Sequence, residues 1–228
     1  MDTNLQPNQK IGFALYFKKL LFPLCAELLF ILSYILWPEK VLYFDVVYCI
    51  IIVIYFRKLF SFRKWAGFFR LRQFWIAVGI TAALTYLIHK LTGLLSFREI
   101  IGIPDGNIST MIPSSTTLAG SLFNMLLYTL ITVILPPFVE TLFYRRAMIR
   151  FETKWLVYAT AAAGMILCSL NYALGLPGIV EGVIVSLPLT IVYLMTRNIY
   201  IPITAQLIVG LLRFTYPIIY DIARIITR

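Results

Sequence analysis

A chain of 228 residues with 61% hydrophobic and only 13% charged residues, and a mean hydropathy of +0.87, departs far from the soluble balance of roughly 45–50% apolar and about 25% charged residues. It reads as an integral membrane protein with little sequence left over for a soluble domain. The net charge of +10 sits beside apolar runs, which points its cations at lipid headgroups and excludes nucleic acid as the expected partner.

A helix needs about 20 mostly apolar residues to cross the hydrocarbon core. Seven stretches are candidates, at 20–37, 41–56, 74–95, 118–138, 155–175, 179–196 and 199–219. The expected fold is all-α, a polytopic transmembrane helix bundle of about seven to eight spans. Strand-like alternation is absent, so a barrel is excluded. The short connections Pro38-Glu39-Lys40 and Leu176-Pro177-Gly178 predict antiparallel helical hairpins, and the longest loop, 96–117, is rich in Gly, Pro, Ser and Thr. Two regions result: N-terminal spans over 1–117 and a core over 118–228.

The first apolar run follows a polar tail and shows no small-residue cleavage pattern, so it is expected to stay as an anchor. Near the span ends, 14 Lys and Arg fall on one side and 6 on the other, which places the N-terminus in the cytoplasm. Arg213, Arg224 and Arg228 near the C-terminus leave room for an eighth or re-entrant segment. The densest cluster, Arg57, Lys58, Arg63, Lys64, Arg70 and Arg72, is interleaved with Phe and Trp directly after a span. Segment 57–73 therefore reads as interfacial, held by anionic lipid at about 1 kcal/mol per cation and by its aromatic rings.

Intramembrane ionisable groups are functional hypotheses by default. Within or at the ends of spans stand Glu27, Asp45, His89, Glu140, Asn171, Glu181, Gln206 and Arg213, with Asn124 as a minor member. Glu27 and Asp45 lie on adjacent spans and are expected to bond to backbone or tyrosines. His89, beside Lys90, is expected to be solvated at the interface. A single histidine excludes zinc sites of the HExxH kind, and no cofactor or metal is implied. Cys25, Cys49 and Cys168 lack metal or redox spacing and read as small buried hydrophobes. Glu140 remains, as a general base acting on water. Proton transport through Glu27, Asp45 and Glu181 is a further possibility.

The run Pro136-Pro137-Phe138-Val139-Glu140-Thr141-Leu142-Phe143-Tyr144-Arg145 resembles the EExxxR motif of the CPBP family, the CAAX proteases and bacteriocin-processing (Abi) proteins. Ser169 to Leu176 falls where that family has FxxxH, and Thr196 to Gly210 resembles its run into HxxxN. The resemblance covers roughly 130–216 and implies a CPBP/Abi-like four-helix core. It implies Glu140 as the base that activates water, Arg145 as the motif arginine and Gln206 at the second histidine position. The second motif glutamate is Thr141, the first histidine falls on Leu176 and the asparagine on Gly210. On straight α geometry Glu140 and Arg145 diverge by about 140°, so Arg145 is expected to snorkel to the cytoplasmic interface.

Most of the family constellation is thus replaced. The expectation is a non-catalytic pseudoprotease that binds a membrane protein or hydrophobic peptide, in the immunity or complex-assembly roles the resemblance implies, in a bacterial plasma membrane. The alternative is a glutamate-dependent intramembrane endopeptidase with Glu140 as base and Gln206 as helper.

Overall fold

The computed structural model describes residues 13–37, 40–94, 130–171 and 175–226. The 96–117 loop, the boundary at 117/118, Asn124, the start of the fourth expected span, Pro38-Glu39, Tyr172, Lys10, Arg98 and Arg228 lie outside the described residues. Among the described residues the structure is all-helical. Helix α1 spans Phe13–Leu36 and α2 Val41–Phe56. A short 3-10 turn, Arg57–Leu59, leads into α3, Phe62–Phe68. Then come α4, Arg72–Leu94, and α5, Leu135–Val139, with a π-helical turn on each side at Leu130–Ile134 and Glu140–Ala147. Helices α6, Lys154–Leu170, α7, Leu176–Thr196, and α8, Tyr200–Ile226, complete the chain.

The helix ends follow local chemistry. Ser61 accepts the Lys64 N–H at the start of α3 and Thr153 accepts the Leu156 N–H at the start of α6, filling donors that a first helical turn leaves open. Asn198 Oδ1 accepts the Tyr200 N–H at 2.9 Å and opens α8. Arg197 closes α7 in the left-handed region at φ 52°. Leu176-Pro177-Gly178 is not a connection, as the short-loop reading held: it forms the first turn of α7. Proline is welcome there because its missing N–H has no helical partner to lose.

The α1–α2 hairpin is antiparallel, since Phe22 stacks on Tyr55 (5.2 Å between centroids) and Phe30 on Tyr48 (5.1 Å). Helix α4 packs along α8 and α7, α6 along α7, and α2 against α5. Glycine permits a close approach: a Cβ on Gly164 of α6 would lie 2.7 Å from the Tyr144 carbonyl oxygen.

Polar side chains join the apolar core, and many large apolar side chains face outward. Glu27, Thr81, Thr85, Glu140, Thr141, Arg145, Ser186 and Thr190 are buried, while Leu28, Leu29, Ile54, Ile80, Leu87 and Met195 are exposed. Outward apolar side chains suit an apolar solvent, in which polar groups have to find their partners inside the protein. Hydroxyls on α4 and α7 bond back one turn, Thr81 to the Ala77 carbonyl at 2.7 Å and Thr190 to the Ser186 carbonyl at 3.0 Å. Two described helices, over Arg72–Thr92 and Leu176–Thr196, are long and apolar enough to cross a membrane. Cys49 and Cys168 are buried as expected, but Cys25 is exposed. It lies on the outward face of α1 with the exposed Leu28 and Leu29.

Candidate functional site

Glu140 opens the second π turn. Pro136 and Pro137 supply no N–H, and the Glu140 N–H is shared between their two carbonyls. Further on, the Met148 N–H reaches back five residues to the Phe143 carbonyl at 3.0 Å. Bonds spaced i to i+5 bring residues five apart onto one face.

That winding overturns the expected divergence of Glu140 and Arg145. Arg145 Nη2 donates to Glu140 Oε2 at 3.3 Å, Nη1 to Thr141 Oγ1 at 3.3 Å, and Nε to Thr190 Oγ1 of α7 at 3.4 Å. Arg145 does not snorkel: it is 2% exposed and Glu140 is 6% exposed. A buried charge persists only when paired and hydrogen-bonded, and Glu140, Thr141 and Thr190 meet that condition together. The Cys168 thiol of α6 lies within hydrogen-bond reach of Glu140. The space lined by Tyr144, Arg145, Cys168, Ser186 and Thr190 is too tight to admit a water molecule.

Gln206 is carried by α8, half-buried, and its Oε1 is buried with no hydrogen-bond partner. Gly210, one turn beyond, lies against Val133 of the first π turn, where a Cβ would meet Cγ1 at 3.4 Å. The structure therefore joins Glu140 and Arg145 and holds Gln206 on a separate helix. Thr190 and Cys168 were missed as partners. The spacing of Ser186 and Thr190, one turn apart on a largely apolar helix, is the available signal for the first.

A second polar group meets on the other side of the π turn. The Tyr144 hydroxyl donates to Glu27 Oε1 at 2.9 Å, shares a 2.9 Å hydrogen bond with the Tyr48 hydroxyl, and accepts from Asn171 Nδ2. Glu27 bonds a tyrosine, as expected for it. Glu27 Oε2 and Asn171 Oδ1 remain buried without a partner. Asp45 accepts from the Cys49 thiol one turn along α2 at 3.4 Å. At the opposite end of α4, Thr92 Oγ1 donates to Glu181 Oε1 at 3.3 Å. His89 is not a solvated interfacial residue: it is half-buried and neither ring nitrogen has a partner. The packing of α8 along α4 removes it from solvent.

Many exposed apolar side chains, two helices of membrane-crossing length and apolarity, and a buried carboxylate–guanidinium pair on a π-wound turn describe an all-helical protein built around a buried glutamate. Residues 121–212 match the family model described as "Rce1-like: Type II CAAX prenyl endopeptidase Rce1-like". Over that stretch the chain is similar to the CAAX-protease-like family, and the matched residues include Glu140, Arg145 and Gln206. No curated protein and no solved structure matches the chain.

Proposed function

We propose that the chain is a CAAX-protease-like pseudoprotease that binds a membrane protein or hydrophobic peptide, in an immunity or complex-assembly role. It does so as a multi-pass protein of seven to eight spans in a bacterial plasma membrane, with a cytoplasmic N-terminus and no cofactor. The observation that carries this reading is the engagement of Glu140. One carboxylate oxygen is taken by Arg145 at 3.3 Å, and Cys168 lies within hydrogen-bond reach of the same side chain. A general base acts through a carboxylate free to take a proton from water, and the Arg145 guanidinium already holds one oxygen of this one.

The substituted positions support the same reading. Leu176, Gln206 and Gly210 stand where the resemblance calls for two histidines and an asparagine, so the proton donors that stabilise an oxyanion are mostly gone. Gln206 Oε1, buried without a donor, offers an acceptor to a peptide N–H of a bound partner.

The test compares cleavage of a prenylated CAAX peptide with capture of membrane partners by in-cell crosslinking, for the wild type and for Glu140→Gln. The expected result is no cleavage by either protein and the same crosslinked species from both. Cleavage that disappears with Glu140→Gln replaces this reading with a glutamate-dependent intramembrane endopeptidase.

A further inference from the structure

We infer that the segment from Arg57 to Arg72 is an anionic-lipid site whose occupant clamps α5 and α8 in place, a role beyond the proposed function and independent of it. Arg57, Lys58, Arg63, Lys64, Arg70 and Arg72 are all exposed, and the chain carries no acidic residue between Asp45 and Glu99. Nothing nearby in the sequence neutralises these cations. Apolar rings stand among them on the outside: Phe62 is 71% and Trp75 46% exposed. Exposed cations beside exposed aromatic rings are the signature of a headgroup boundary.

The inner face of the same segment is bolted to the elements of the candidate site. Trp65 Nε1 donates to Thr204 Oγ1 of α8 at 2.9 Å, and the Ser61 N–H donates to the Tyr200 hydroxyl at 3.3 Å. Phe60 meets Phe138 of α5 edge-on, with centroids 5.3 Å apart, and Phe68 lies 5.2 Å from the Tyr200 ring. Phe138 precedes Glu140 by two residues, and Thr204 precedes Gln206 by two. A lipid phosphate drawn to the outer face therefore presses this strap onto both helices. The charge complementarity selects an anionic lipid in the leaflet that borders the cations.

The test uses the full chain with Trp37→Phe and Trp155→Phe, which leaves Trp65 and Trp75 as reporters, in phosphatidylcholine vesicles doped with phosphatidylglycerol. Brominated acyl chains are placed on one lipid at a time. Brominated phosphatidylglycerol is expected to quench more than brominated phosphatidylcholine at equal mole fraction. Arg63→Gln and Lys64→Gln should each lower that preference about fivefold, as should raised salt in part. Equal quenching by the two lipids overturns the site, and loss of the preference to soluble glycerol phosphate overturns the choice of a lipid as occupant. For the clamp, phosphatidylglycerol is expected to raise the unfolding midpoint of the wild type more than that of Trp65→Phe. An equal rise in both overturns it.

Discussion

Glu140 and Arg145 stand five positions apart and meet at 3.3 Å, a contact that π winding creates and α winding prevents. The pair is buried, so its two members depend on each other. Arg145→Met is expected to leave an uncompensated carboxylate and to destabilise the protein by about 3–5 kcal/mol. Adding Glu140→Gln in the same chain should restore most of that loss. Unfolding midpoints in detergent for the two single variants and the double variant measure the coupling directly.

Tyr144 holds α1, α2 and α6 around the same turn through one hydroxyl. Tyr144→Phe removes the only hydrogen bond described for Glu27 and is expected to cost about 1–3 kcal/mol. Glu27→Gln brings an amide with donors of its own. In that background the penalty for Tyr144→Phe should shrink, and a penalty that stays the same would show that the hydroxyl acts through Tyr48 or Asn171 instead.

Gly164 and Gly79 provide a matched pair of substitutions on two helices. A Cβ at Gly164 would press on the Tyr144 carbonyl at 2.7 Å, whereas at Gly79 it would meet nothing within 4 Å. Gly164→Ala is expected to destabilise by about 1–3 kcal/mol by forcing α6 off the π turn. Gly79→Ala is expected to be neutral or to stabilise by about 0.5–1 kcal/mol through helix propensity. Thermal unfolding of both variants in one detergent decides the matter.

Tyr16 lies before the apolar run that begins at Leu20, and its hydroxyl donates to the Met148 carbonyl. Burial pushes its pKa up to about 12, against the opposing pull of the Arg150 cation, with Glu152 adding to the rise. The folded state thus keeps a proton that the unfolded chain releases near pH 10. The stability from Tyr16 is fully present below pH 10 and falls as pH rises toward 12. Tyr16→Phe should flatten that part of the alkaline stability curve relative to the wild type.

Where apolar length and short connections set the structure, the sequence could be read closely. Helix α2 runs over Val41–Phe56, the stretch expected from hydropathy, and the α1–α2 hairpin follows from the brief link between them. The match over 121–212 also fell on the motifs around Glu140. The site geometry is not legible in the same way, because a 3.6-residue period sets Glu140 and Arg145 apart and neither proline announces i to i+5 bonding downstream. His89 failed for a different reason. Its neighbour Lys90 marks a water boundary in sequence, but burial depends on α8, more than a hundred residues later.

The π turn also works as a phase shifter. Each turn takes in more residues than an α turn, so side chains beyond Glu140 rotate away from where an uninterrupted α helix would aim them. One short segment thereby serves two directions: Arg145 reaches toward Thr190 of α7, and its neighbour Tyr144 toward Glu27 of α1. Deleting a single residue between Val139 and Tyr144 would rewind the turn and lose both bearings. The length of this stretch, and not only its composition, is therefore under constraint.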